Sequence, residues 1–148
     1  MDLPDDRNER QDKALPDSAV TYQLWLHLAV ETELTVGALG QCLLPAGWYV
    51  YTGSARRGLR ARLRRHTHPD SAKTVRWHAD YLLASPCTTI HYLSLSTEPE
   101  CAVNAAVGGS TPCPGFGASD CRSGCGSHLR FLGLDFDPET LAPCPRFR

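Results

Sequence analysis

The chain lacks any apolar run near the roughly 18 residues that a membrane-spanning helix needs, so no such span is expected. Its first 18 residues, MDLPDDRNERQDKALPDS, lack the apolar core of a secretory signal. They are poor in apolar side chains and rich in Asp and Pro, and read as a disordered acidic leader over 1–18. Net charge is almost absent, at -1 over 148 residues. No internal repeat and no shift in composition marks a second domain, and the length is that of one. A full disulfide framework is also excluded, because the seven cysteines are an odd number. Without an export signal the expected compartment is a reducing cytoplasm, and the cysteines are core residues, metal ligands or reactive thiols.

What is present is charge of one sign in one place. The leader holds six acids and three bases, a charge of -3, so the rest of the chain carries +2 of the total -1. Most of that excess sits in VYTGSARRGLRARLRRH (50–66), with six arginines within ten positions and no acid. A solvated helix face normally mixes both signs. A face of arginines alone suits a polyanion held through its phosphates, with strong salt dependence. Arg56, Arg57, Arg60, Arg64 and Arg65 are the candidate contacts. No base-reading signature accompanies them, so backbone binding is expected and sequence choice is not.

Periodicity gives the architecture. VTYQLWLHLAV (20–30) alternates polar and apolar side chains and reads as a strand. LTVGALGQCLL (34–44) reads as a second strand with a glycine bulge, and WYVYTG (48–53) as a third. An antiparallel meander is the simplest arrangement of the three. Ser54 is positioned to cap a following helix, in which Leu59 and Leu63 share the inward stripe. A second helix is expected over 76–85 and a fourth strand over 87–96. Thr97 and Glu100 match a capping box with Pro99 in the first turn, so a third helix is expected over 98–107. A Gly/Pro-rich loop follows over 108–120, then a short strand over 128–133. The fold class is therefore α/β in the α+β sense: a small, mainly antiparallel sheet with helices packed against it. The folded domain is expected over 19–134, with a C-terminal tail over 135–148.

The order of certain residues carries a resemblance. A strand with Val20-Thr21-Tyr22 precedes one ending Tyr51-Thr52-Gly53. A Leu59-x-x-Arg62 helix follows, His66 lies one turn on, and Glu100 opens a later helix. This order resembles the GIY-YIG nuclease superfamily. The fuller string GWYVYTGSA, GLRARLRRH, WHADYLL, EC, GFGASDC and SHL resembles its Uri-type endonuclease branch, over roughly residues 20–133. Val20 stands where that family has a leading Gly. Its closing Asn has no clear match, with Ser119, Asp120 or His128 as candidates, and Asn104 too near Glu100.

The resemblance implies a DNA endonuclease with Tyr22, Tyr51, Arg62, His66 and Glu100 as catalytic residues, and Glu100 as ligand of one Mg²⁺ or Mn²⁺ ion. The chemistry suits the residue types. A carboxylate with waters suits a hard cation. A guanidinium forks onto phosphate. Tyrosine and histidine in series pass a proton from water. The alternative is a non-cleaving nucleic-acid-binding module on the same scaffold. His78 and Asp80, two apart in RWHADYLL, point to different helix faces. The resemblance gives them a supporting role, with His78 meeting Arg62 or DNA. Cys121-x3-Cys125-x2-His128, with Cys113 or Cys101 as a fourth donor, has the residue types of a zinc site. Its spacing is irregular and no second C-x2-C exists. Buried or surface thiols are the expectation, and a structural zinc is not.

Overall fold

Strand β1 (Thr21–Leu28) sends Tyr22, Leu24, Leu26 and Leu28 to one face, all almost fully buried. This is the two-residue period of a strand with one covered face. In the computed structural model, which describes residues 20–54, 59–67, 78–118 and 124–137, that face is the core of an α+β domain. Within 59–67 the side chains of Arg60, Arg65 and Thr67 are not described. The leader, Arg56, Arg57, Ser119, Asp120, Cys121 and the tail from residue 138 also lie outside the described residues.

The expected meander does not form. β1 pairs antiparallel with β4 (Gly47–Ser54) on one side and with β5 (Thr88–Ser96) on the other. β6 (Leu129–Gly133) adds antiparallel to β4, giving the order β5-β1-β4-β6. The segment expected as a second strand over 34–44 is instead a hairpin in its own sheet. It consists of β2 (Thr32–Val36), a 3₁₀ turn over 37–39, and β3 (Gly40–Leu44). Gly37 at φ 47° and Gly40 at φ 87° turn the chain there, where a bulge would only have bent it. Cys42 of β3 is bridged to Cys113 in the long loop, which corrects the expectation of free thiols throughout.

Helix α1 (Leu59–Thr67) buries Leu63 and His66. Helix α2 (His78–Leu83) packs against β2 and β5 and buries Ala79, Asp80 and Leu82. Helix α3 (Glu100–Val107) lies against β4 and β1. Its start differs from the expected capping box. Pro99 is the N-cap residue, no side chain caps the helix, and Thr97 lies outside it. Ser54 ends β4, and the residues after it that its expected cap would meet, 55–58, lie outside the described residues. On the opposite sheet face the Trp48 ring lies 4.7 Å from those of His27 and His91, and Phe136 stacks on Trp25. The first residues of the expected tail are thus packed onto the sheet.

Candidate active site

Register brings the two tyrosines together. Tyr22 of β1 pairs with Gly53 of β4, and Leu24 with Tyr51. Directly opposed residues share a sheet face, so both tyrosines point into the core side. Their ring centroids are 6.3 Å apart, and the Tyr51 hydroxyl is within hydrogen-bond reach of that of Tyr22. Glycine at 53 is a steric need. A Cβ there would lie 2.5 Å from Cζ and from the hydroxyl oxygen of Tyr22. The Tyr-x-Gly order at the end of β4 is thus what lets the other tyrosine lie across the strand.

Helix α1 supplies the next two groups. His66 is four residues, about one turn, beyond Arg62, so both reach the same cleft. The His66 ring is buried, and its Nε2 is 2.7 Å from the Tyr22 hydroxyl. Arg62 donates from Nη1 to the Ser54 carbonyl and also hydrogen-bonds Tyr22. Burial, and then the neighbouring Tyr51, raise the Tyr22 hydroxyl well above the ordinary tyrosine range, against the opposing pull of Arg62. Burial and the Glu100 carboxylate do the same for Tyr51. Both phenols therefore keep their protons at neutral pH.

Glu100 is the first residue of α3, where the helix dipole favours a carboxylate. Its Oε1 is 2.5 Å from Nδ1 of the buried His128, and the Ser54 side chain hydrogen-bonds it as well. Partial burial pushes its pKa up. The hydrogen bonds from His128 and Ser54 and the charges of His128 and Arg62 outweigh this, and the group ends below the usual glutamate value. It is a carboxylate at neutral pH. Five side chains from β1, β4, α1 and α3 thus meet on one side of the sheet.

Three neighbours were harder to read from sequence. Ser54 was legible only as a cap. His128 had the residue type and an SHL context, but nothing in the spacing tied it to Glu100. It is held there by two backbone bonds: its carbonyl accepts from Thr52 N–H at 2.9 Å, and its N–H donates to the Phe116 carbonyl at 2.8 Å. Asp80 is fully buried and close enough to Tyr51 to raise its pKa.

His78, the first residue of α2, is half-buried. Its Nδ1 accepts the Gly117 N–H at 2.8 Å and its ring lies 5.6 Å from that of Phe116. It fixes the loop that backs Tyr51. Of the remaining arginines, Arg64 is exposed on α1. The side chains of Arg60 and Arg65, and all of Arg56 and Arg57, lie outside the described residues.

No curated protein and no solved structure matches the chain. A family model does match, over residues 21–142, a span from the first residue of β1 to beyond β6. Every residue of the cleft falls within that span, and on this match the chain belongs to the family described as a domain of unknown function, DUF123.

Proposed function

We propose that the chain is a divalent-metal-dependent DNA endonuclease of the GIY-YIG type, resembling the Uri branch. One observation carries this reading: Tyr22, Tyr51, Arg62, His66 and Glu100, far apart in sequence, converge on one cleft in the order the resemblance implies. The Tyr22 hydroxyl keeps its proton and sits against His66 Nε2. It can take a proton from an attacking water while giving its own to His66, so that neither step forms a free tyrosinate. Arg62 meets the phosphoryl oxygens. The planar guanidinium suits bidentate contact with phosphate oxygens.

Glu100 fits a hard cation. It is ionised, partly exposed, and has a second carboxylate oxygen besides the one facing His128. A Mg²⁺ or Mn²⁺ ion bound there would neutralise phosphoryl charge and stabilise the leaving oxygen. The exposed Arg64, with Arg56, Arg57, Arg60 and Arg65, would hold the DNA backbone. The compartment that goes with this reading is the cytoplasm, and among the described residues no helix is long and apolar enough to cross a membrane.

A second reading has its own support. The contact between Glu100 and His128 is also what a purely structural carboxylate would make. A non-cleaving DNA-binding module would keep it. Incubation with single-stranded, duplex and branched DNA, with and without Mg²⁺ or Mn²⁺, separates the two. Metal-dependent nicking that Glu100→Ala abolishes supports the endonuclease. Binding without cleavage on every substrate supports the module.

A further inference from the structure

Glu100 is followed by Cys101, and His128 is preceded by the segment 124–127, which contains Cys125. The fold brings these two stretches together. The donor atoms of Cys101, Cys125 and His128 all lie within 4.8 Å of one another. Both cysteines are outside any disulfide and partly buried, and His128 is buried. A tetrahedral zinc with Zn–S bonds near 2.3 Å and a Zn–N bond near 2.1 Å places its donors roughly 3.6–3.8 Å apart, so a contraction of at most about 1 Å would seat the ion.

The surroundings point the same way. With Nδ1 turned to Glu100 Oε1, the Nε2 of His128 is the nitrogen for a metal. A ligating imidazole whose other nitrogen meets a carboxylate is the usual support around protein zinc. The segment itself needs holding. Residues 124–128 form no regular element, and Gly124 and Gly126 take left-handed φ values of 73° and 77°. The inner face of α3 clasps it one turn further on, where Asn104 Nδ2 donates to the Ser127 carbonyl at 2.9 Å. Two thiolates and an imidazole are soft and borderline donors, unsuited to Mg²⁺ and suited to Zn²⁺.

We propose that Cys101, Cys125 and His128 bind a structural zinc ion that fastens the segment before β6 to the first turn of α3. The sequence spacing alone argued against a zinc in this chain, because it is irregular and no second C-x2-C exists. Metal binding here releases the thiol protons and leaves zinc thiolates, so affinity falls as pH falls. Because zinc would fix His128 and hence Glu100, the ion is a positioning device for the cleft. The site stands whether or not the cleft cleaves DNA.

The test is the metal content of the full chain, purified without added metal or chelator. About one zinc per chain is expected. Cys101→Ser and Cys125→Ser should each lose most of it, and Cys87→Ser, at a free cysteine outside this cluster, should keep it. If the serine variants fail to fold, the wild-type chain still decides. Cobalt exchanged into it should give thiolate-to-cobalt charge-transfer absorption, and zinc removal should lower its melting temperature. A wild-type chain without zinc that neither gains stability from added Zn²⁺ nor shows that absorption would overturn the site. So would equal zinc loss in Cys87→Ser, or a Cys101–Cys125 disulfide in the native protein.

Discussion

Glu100 concentrates four influences on one carboxylate: burial, the His128 contact, the Ser54 hydrogen bond and the Arg62 charge. Because no side chain caps α3, Glu100→Gln removes charge without removing a cap. The amide can still accept from His128 Nδ1. Stability at neutral pH should fall by about 1 kcal/mol, the difference between a charge-assisted hydrogen bond and a neutral one. Metal-dependent nicking should fall by orders of magnitude, since an amide holds a hard cation poorly. The pH dependence follows from the lowered pKa. Its stabilisation is present above the unfolded value, about 4.3, and is lost as pH falls through the folded value. Wild type and Glu100→Gln should therefore converge in stability on acidification below about pH 4. Thermal unfolding across pH and plasmid nicking on the same pair measure both. Full nicking in Glu100→Gln would remove it from the metal site. Gly53 makes a second residue-scale case. Gly53→Ala forces a Cβ to 2.5 Å from Tyr22, so overpacking of about 1–3 kcal/mol is expected. The clash should push the Tyr22 hydroxyl off His66. Combined with Tyr22→Phe the losses should be less than additive, because the hydroxyl is one of the atoms struck. Strict additivity in denaturant melts would show that the two residues do not meet as described.

The arginine helix is one element with two faces. Arg62 turns inward to Ser54 and Tyr22, and Arg64, two residues on, is exposed. The two should therefore fail differently. Arg64→Ala should weaken DNA binding about equally across sequences and flatten its salt dependence by a slope of about one, leaving turnover of bound DNA intact. Arg62→Ala should strike cleavage first. Binding titrations at several salt concentrations and single-turnover cleavage separate these effects, and an unchanged salt slope for Arg64→Ala would make that face a merely solvated one. Elements were also where sequence was most and least informative. β1, β4, β5 and β6 lie within two residues of their expected bounds: alternation marks β1, whose core-side residues are all buried, while β4, buried on both faces, is marked by its aromatic and β-branched residues. The pattern failed at 34–44. Two glycines there read equally as a bulge or as a turn, and only their positive φ values, set by tertiary context, make the turn. The cleft was legible in Tyr22, Tyr51, Arg62, His66 and Glu100 as an order of residue types. His128 and Asp80 reach it through the long loop and α2, whose docking has no local signature.

At the scale of the molecule, the cleft and the core are the same object. β1 and β4 are the two central strands of the sheet, and they carry Tyr22 and Tyr51. β1 pairs with β5 across a long stretch of sequence, Thr21 with Ser96 and Leu28 with Thr88. Such non-local pairing must close large loops before it is rewarded, so the sheet should fold slowly and as a unit. His66, Glu100 and His128 are added to that unit from its flanks. Local opening is confined to segments with few buried contacts, and the central strands open only with the whole. Two orders of melting are then possible. If α1 and the segment before β6 detach first, cleavage will disappear at temperatures where the sheet is intact. If the buried contacts of His66 and His128 tie them to the sheet, activity and structure will be lost together. Both rings are almost fully buried, and His128 is bonded through its backbone to β4 and to the loop at Phe116. Coincidence is therefore the expected outcome: far-ultraviolet dichroism, tyrosine absorbance and residual nicking should share one midpoint on heating. Removing the zinc should split them, with nicking lost first, because the segment carrying His128 would then be held by hydrogen bonds alone. Separate midpoints in the zinc-loaded chain would show that the cleft is a detachable rim and not part of the core.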